Sequence, residues 1–424
     1  MKKSLQVFSI ALLLIMLTKN IQAQVISDSV TIQPGYTNQT YYSMPNGTLS
    51  TVSNTDWELG FQLRGFAASI LINSKNNVHL YKANKDVNAW STMTVADTAG
   101  LINPSNELVN SDTSWDVGAF NSTDDTTNQY DLGWGVYDPA SHYVIGDSLY
   151  FIKLPDSTYR KLWIEVLMNG TYYFRHANLD GSNETLDTLI KSQFSGKYFA
   201  YFSIINHSTI DREPVYNAWD LVFTQYLALN VPNIGNYKVV GVLSNDSVNV
   251  AKAYPVDVNS VNANSFPYSY SINSIGYNWK RYDFATNTYI IEDSLVYFVQ
   301  SRNNTVWKMI FTGFGGGATG KYYFNKEMVG VAGLTEQTSP QIVSAYPNPS
   351  SSVVQIVINN NTKSTAQEYQ IVNVLGKVVV QNSVNLILGL NSIVVRVNNL
   401  NNGIYFLRVG VGENFTTQKI IVQH

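Results

Sequence analysis

Apolar and polar residues alternate over short stretches along most of the chain, the period-two pattern of half-buried strands, with Asn, Asp, Gly and Pro between the stretches. Tyr150, Ile152 and Leu154 fall on one side of a strand, and Leu149, Phe151 and Lys153 on the other. A turn at Pro155-Asp156-Ser157 returns the chain through Tyr159 to Leu167, where Leu162, Ile164 and Val166 share a face. Further on, Val296 and Phe298 precede the turn Ser301-Arg302-Asn303-Asn304, and the chain comes back through Trp307, Met309 and Phe311. Both are hairpins with at least one buried face. Their outgoing strands are apolar on both sides, so the pattern leaves open which face is the core. The expected class is all-β, built from antiparallel sheets.

The pattern also repeats. YYSMPNGTLSTVSNTDWELGF at 41–61 matches YFSIINHSTIDREPVYNAWDLVF at 201–223, which places Trp57-Glu58-Leu59 opposite Trp219-Asp220-Leu221. A second passage starting at Trp134 matches one starting at Trp279, each with a Tyr-Asp pair and an Asp-Ser-Leu turn, and each continues into an aromatic strand, GTYYF at 170–174 and GKYYF at 320–324. Shared landmarks in one order indicate a duplication. The offset falls from 162 residues (Trp57 to Trp219) to 145 (Trp134 to Trp279), so the first copy carries about 17 extra residues, expected near NSTDDTTNQY at 121–130 or the Asn/Ser-rich stretch before it. The tryptophans at 57, 219, 134 and 279 read as core anchors rather than ligand-stacking residues.

Composition sharpens this picture. Of 424 residues 45% are apolar and 13% aromatic, with 28 Tyr, which suits pleated, half-buried surfaces and allows two or three cores. Net charge is -3, but residues 24–339 hold 19 basic against 28 acidic residues, an acidic body with no electrostatic reason to bind nucleic acid. The absence of Cys excludes thiol chemistry, Cys-ligated zinc, iron-sulfur clusters and disulfides.

Both ends point to export. In MKKSLQVFSIALLLIMLTKNIQA, two lysines precede an apolar run from Val7 to Leu17 that is too short to span a bilayer and ends near the small residue Ala23. This predicts a signal peptide over 1–23, with cleavage leaving Gln24 first. At the other end, after the polar stretch GLTEQTSPQ, the segment opens with PNPSSS and continues through five strand-like runs at 353–358, 369–380, 391–397, 403–410 and 418–423. That spacing predicts a small β-sandwich. PNPSSS, I-V-N-V-L-G-K, L-N-N-G-I-Y-F-L-R-V and the final K-I-I-V, in that order, resemble the type A C-terminal sorting domain of the type IX secretion system over 341–424. The resemblance implies handling by that machinery, and release from the cell or attachment to surface polysaccharide after removal of the tail.

The body carries a second resemblance. The order Y-F/Y-S, W-D-L-x-F, a Trp-Tyr-Asp strand and a hairpin ending S-T-Y-R-K-L-W-I is similar to HmuY-like proteins, β-rich haem binders, over most of 31–178 and again 198–330. Glu58 departs from the Asp of W-D, and Val306-Trp307-Lys308 from the usual hairpin ending. The implied organisation is a signal peptide (1–23), a HmuY-like domain (24–178), a linker (179–197), a second HmuY-like domain (198–332), a linker (333–340) and the sorting domain (341–424).

Haem needs axial ligands in an apolar pocket. The body offers His79, His142, His176 and His207; His142, before a hairpin, and His176, at a strand end, are the candidate pair. Glycosidase chemistry needs two carboxylates across a cleft, and Asp116, Asp138, Asp220 and Asp283 are the available set. Asp138 and Asp283 occur in both copies, which suits turn caps better than catalysis. No Gly-x-Ser-x-Gly or His-Glu-x-x-His string occurs, so the chain is expected not to be an enzyme. Asp124, Asp125 and Asp131 offer oxygen ligands for calcium, without the Gly and final Glu of an EF-hand. The run FTGFGGGATG at 311–320 reads as a hairpin loop rather than a phosphate cradle. Asp-Ser/Thr-aliphatic triplets, such as those centred on Ser148, Thr188, Ser247 and Ser294, resemble O-glycosylation sites of exported proteins. The expectation is an exported surface protein that binds or adheres to a polysaccharide or protein, with haem capture as the rival.

Overall fold

The computed structural model describes residues 24–331, 341–360, 365–374, 376–387, 389–411 and 414–424; the expected signal peptide and the linker 333–340 lie outside the described residues. The described chain is nearly all β, as the alternation predicts, and its residues 24–331 and 341–424 belong to two separate compact units.

In the first unit the chain opens with β1 (Ile26–Thr31), β2 (Asn38–Ser43) and β3 (Gly47–Ser53). It then forms β4 (Leu59–Gln62), β5 (Ile70–Ile72), β6 (His79–Lys82), β7 (Gly135–Asp138), β8 (Tyr143–Gly146) and β9 (Leu149–Lys153). β10 (Tyr159–Met168), β11 (Thr171–Asn178), β12 (Thr185–Ile190), β13 (Phe199–Ser203) and β14 (Ser208–Ile210) follow. The strands from β4 to β14 make one lobe, A. Its sheet β12-β11-β10, extended on β10 by β9 and β6 and by β8 and β7, faces the sheet β14-β13-β4-β5. Leu59, Phe61, Trp134, Leu162, Phe174 and Phe202 fill the core between them.

The remaining strands are β15 (Leu221–Val231), β16 (Gly235–Ser244), β17 (Asn249–Ala253), β18 (Tyr268–Ser269), β19 (Lys280–Asp283) and β20 (Thr288–Ile291). β21 (Val296–Gln300), β22 (Thr305–Phe314) and β23 (Lys321–Val331) complete the unit. They form lobe B, but only together with the three N-terminal strands, in sheets ordered β1-β23-β22-β21-β17-β18 and β16-β15-β2-β3. Val30, Ile32, Tyr42 and Met44 from the N-terminus share a core with Leu221, Phe223, Trp279 and Phe324.

The two lobes are built alike. Val30 of β1 lies opposite Tyr322 of β23, as Leu189 of β12 lies opposite Tyr172 of β11. Tyr42 of β2 lies opposite Leu221 of β15, as Phe202 of β13 lies opposite Leu59 of β4. Lobe B is thus completed by a strand and a hairpin that the sequence assigns to the first copy, and lobe A by a strand of the expected linker and a hairpin of the second copy. The boundary expected at 179–197 does not separate the sheets: β12 lies within it and pairs with β11. Lobe A runs continuously from β4 to β14, and lobe B is closed by the beginning of the chain. The strand at the head of each repeat pairs with the last strand of the other, β1 with β23 and β12 with β11, and the hairpin after it pairs with the strand of the other's Trp motif, β2 with β15 and β13 with β4.

Both faces of the outgoing strand are core. Tyr150 and Ile152 join the main core of lobe A, while Leu149 and Phe151 pack with Trp90 and Met93 in a smaller one. The latter two come from the long connection 83–134, which accounts for the extra length of the first copy. Val166 does not continue the face of Leu162 and Ile164. A bulge between Ile164 and Val166 shifts the register, and Leu167 packs on the core instead. Gly146 lies so close to this bend that a Cβ there would meet the Ile164 carbonyl oxygen at 1.7 Å. The glycine run links β22 to β23 through one helical turn, Gly316–Thr319.

The second unit is the expected small sandwich. β24 (Gln341–Tyr346), β25 (Val353–Asn360), β26 (Thr365–Asn373), β27 (Val378–Leu386), β28 (Gly389–Arg396), β29 (Gly403–Val411) and β30 (Asn414–Val422) form the sheets β24-β25-β28 and β27-β26-β29-β30. Alternate residues Val354, Ile356 and Ile358 point inward against Leu407, Val409 and Ile420.

Candidate functional site

The repeated motifs build two facing walls. In W-E-L-G-F, Glu58 Oε2 accepts hydrogen bonds from Ser203 Oγ (3.0 Å) and Ile204 N (2.7 Å); in W-D-L-V-F, Asp220 Oδ2 accepts one from Met44 N (2.7 Å). Each carboxylate clamps the hairpin that arrives from the other repeat. Beside each clamp the tryptophan packs edge-on against a tyrosine of that hairpin: Trp57 on Tyr201 at 4.9 Å and 69°, Trp219 on Tyr41 at 5.1 Å and 70°. Asn73 Nδ2 donates to the Asn54 and Trp57 carbonyls, and Asn245 Nδ2 donates to those of Tyr216 and Trp219. Leu71 and Leu243 complete the two walls.

The cleft between the walls encloses about 110 Å³. Trp57 and Trp219, expected as core anchors, are buried but line this cleft, whereas Trp134 and Trp279 lie in the lobe cores. One further aromatic has no counterpart in the other repeat. Trp115, from the long connection, packs against both walls and donates from Nε1 to the Ser244 carbonyl at 2.9 Å. Its loop is tied to both lobes. Asn110 exchanges hydrogen bonds with the Ile72 backbone, Asp116 Oδ1 accepts from Gln62 Nε2 (2.6 Å) and Tyr198 Oη (3.1 Å), and Asp112 Oδ2 accepts from Leu229 N (3.1 Å).

The polar lining is mostly amide and hydroxyl. Gln39 Nε2 donates to Tyr41 Oη (2.8 Å), and Asn54 Nδ2 to Thr224 Oγ1 (3.1 Å). Glu213 is fully enclosed and accepts from Tyr198 N, Phe199 N and Tyr201 Oη at 3.2–3.3 Å. Burial pushes its carboxyl up to about 7 despite those hydrogen bonds and the neighbouring Arg212 guanidinium. Arg212 lies over the Tyr201 ring at 4.9 Å and reaches the Ser53 carbonyl. Burial raises the phenols of Tyr41, Tyr198 and Tyr201, so their hydroxyls stay protonated.

The histidines proposed for haem are not brought together. His142 sits in the β7–β8 turn with its Nδ1 2.8 Å from Tyr137 Oη, and His176 lies on β11 with Nε2 3.0 Å from Asp187 Oδ2. Val144 faces Leu167, and Leu167 faces Tyr172, so the two histidines stand some six strand positions, about 20 Å, apart along the sheet. That is too far to share one iron. The calcium candidates are turn residues. Asp125 Oδ1 accepts from Thr127 N (2.9 Å) and Oγ1 (2.6 Å), Asp131 accepts from Asp125 N (2.9 Å) and Gly133 N (2.7 Å), and Asp124 is exposed beside them. Of the four carboxylates considered for hydrolysis, Asp116 and Asp220 hold the loop and hairpin already described. Asp138 and Asp283 cap equivalent turns, accepting from Ala140 N and Ala285 N at 3.0 Å. Of the four hydroxyl residues in Asp-Ser/Thr-aliphatic triplets, Thr188 alone is exposed. Trp115, Arg212 and Glu213 were not singled out by the sequence; duplication draws attention to paired residues, and these carry no paired motif.

No curated protein matches the chain. Among solved structures, dimeric latent PorU from Porphyromonas gingivalis is similar at 10% identity and a TM-score of 0.18, over 66% of this chain; the chain spans 31% of the length of that protein. The BSP domain of a biofilm associated protein is similar at 11% identity and a TM-score of 0.19, over 94% of this chain and 81% of that one. Residues 344–423, which form the C-terminal sandwich, match the family model of the secretion system C-terminal sorting domain, so the chain carries the tail by which the type IX system exports proteins to the cell surface or beyond.

Proposed function

We propose that this chain is a non-enzymatic binding protein of the cell surface or medium, and that the interlobe cleft takes a neutral ring-shaped ligand, a sugar residue of a surface polysaccharide. The observation that carries the reading is the pair of Trp–Tyr walls with Trp115 between them, around a space of about 110 Å³. An apolar cavity of about 150 Å³ holds benzene, so this smaller space admits part of one ring, with the rest of the ring and chain leaving through the mouth. Aromatic faces take the C–H face of a sugar, and the nearby amides and hydroxyls suit its hydroxyl groups. The same body reads as two HmuY-like repeats on the strength of its ordered aromatic motifs.

The test is a glycan-array screen of the purified chain followed by calorimetry on the best neutral oligosaccharide. Saturable binding that Trp115→Ala lowers by about tenfold or more, as the loss of one buried aromatic contact predicts, supports the reading. Binding that Trp115→Ala leaves unchanged, or no saturable binding to neutral glycans, overturns it.

A further inference from the structure

We propose that lobe A also carries a binding site for a divalent first-row transition-metal ion, with Zn²⁺ as the type case, on His176, Asp187 and His207. These residues come from β11, β12 and the β13–β14 turn, and their ligand atoms all lie within 4.8 Å of one another. His176 Nε2 is 3.0 Å from Asp187 Oδ2, and His207 Nδ1 is 3.8 Å from the same oxygen. Ligands about 2.0–2.2 Å from a tetrahedral zinc stand roughly 3.3–3.5 Å apart, between those two separations, so small side-chain rotations suffice. Two imidazoles and a carboxylate suit zinc, copper or nickel rather than calcium or magnesium.

Lobe B supplies the second observation, because the same position there already holds a cation. Asp28 lies opposite Phe324 in the β1–β23 pair, as Asp187 lies opposite Phe174 in the β12–β11 pair. Two residues further along, Lys326 stands where lobe A has His176. Its ammonium is 3.3 Å from Asp28 Oδ2 and donates to the Met44 carbonyl at 2.7 Å. Tyr42 Oη donates to the same carboxylate at 2.6 Å, and its counterpart in lobe A is Phe202. The third position is Gly47 in lobe B and His207 in lobe A. Both are left-handed, with φ of 81° and 48°, and both follow an Asn whose Nδ2 reaches the serine of the turn. A Cβ on Gly47 would have Asp28 Oδ2 as its nearest neighbour, at 3.9 Å. A side chain at that position therefore starts out toward the carboxylate, as that of His207 does.

Between the lobes, then, the built-in ammonium and the phenol donor are gone, and two imidazoles stand around the same carboxylate. His176 is fully buried, so its ring is held in place beside the carboxylate. His207 is 46% exposed on its side chain, which leaves one side of the site open to water or a fourth ligand. The ion would tie the hairpin β13–β14 to the β11–β12 edge, as Lys326 ties the equivalent hairpin in lobe B.

The experiment is a calorimetric titration of the chelator-stripped full chain with Zn²⁺, repeated on His207→Gly. Glycine is the residue lobe B has at this point and adopts the left-handed backbone without strain, so the variant keeps the fold. The expected result is one equivalent of Zn²⁺ bound by the natural chain, weakened in His207→Gly by more than the roughly 10- to 100-fold that an outer-shell change costs. Imidazole NMR should show Zn²⁺ perturbing His176 and His207. No saturable uptake, an affinity unchanged by His207→Gly, or perturbation confined to His79, His142 and His424 overturns the proposal.

Discussion

The strand exchange predicts that residues 54–217 fold alone and residues 24–178 do not. The first fragment contains every strand of lobe A. The second carries β1 and the β2–β3 hairpin without their partners β23 and β15, and lacks the segment from β12 to β14, which supplies Leu189, Phe194, Ala200, Phe202 and Ile204 to the lobe A core. In the complementary experiment, deleting 24–53 from the full chain removes Val30, Ile32, Tyr42 and Met44 from lobe B, each at most 1% exposed. At roughly 1.5–3 kcal/mol per buried side chain, this withdraws about 6–12 kcal/mol, as much as the whole stability of a typical domain. Calorimetry and limited proteolysis should therefore show the deletion losing the lobe B transition while lobe A stays protected. A cooperative melt of 24–178, with 54–217 unfolded, would refute the exchange and restore the boundary at 179–197.

Two further outcomes follow from buried groups. Because Glu213 is raised from 4.5 to about 7, the folded form holds its proton more tightly than the unfolded one. Stability is then fully present below 4.5 and falls by about 3 kcal/mol as pH rises through 7; Glu213→Gln should flatten that slope in urea unfolding between pH 5 and 8, and an identical slope in both proteins counts against it. Trp279, 1% exposed and stacked on Phe311 at 3.9 Å, should cost about 3–5 kcal/mol when changed to Ala, measured as a lowered denaturation midpoint of lobe B.

The sequence read well wherever a local rule decides the outcome. Alternation placed β9, β10, β21 and β22, and the repeated Tyr-Asp placed two turn caps, because neighbouring residues settle both. The C-terminal strands were legible for the same reason. Pairing between distant segments was not. Nothing near Ile26 says that it meets Lys326, or that Asn38–Ser43 joins β15, since a strand carries its faces in its own sequence but not the identity of its partner. The candidate site inherits that limit. Its walls were visible as repeated Trp and Tyr, yet they face a cleft only once the hairpins are exchanged. His176 was singled out, but with His142, because strand position in the sequence gave no hint that β12 and the β13–β14 turn surround it.

Duplication offers a way to separate scaffold from specialisation inside one chain. Two lobes with the same frame must solve the same packing problems, and residues that serve the frame recur: Trp134 with Trp279 in the cores, Glu58 with Asp220 on the hairpins, Asn73 with Asn245 behind the tryptophans. Where the lobes differ while the backbone stays alike, the frame does not require the residue, and another cause is needed. Two places stand out. Trp115 sits in one connection only and packs against both otherwise matched walls at the edge of the space between them, which is why it carries the test of the cleft. Around the carboxylate shared by Asp28 and Asp187, Lys, Tyr and Gly in one lobe stand against His, Phe and His in the other. A change confined to packing would alter one neighbour. Three changes around a single half-buried carboxylate alter what it can hold, from an ammonium supplied by the chain to a cation taken from outside.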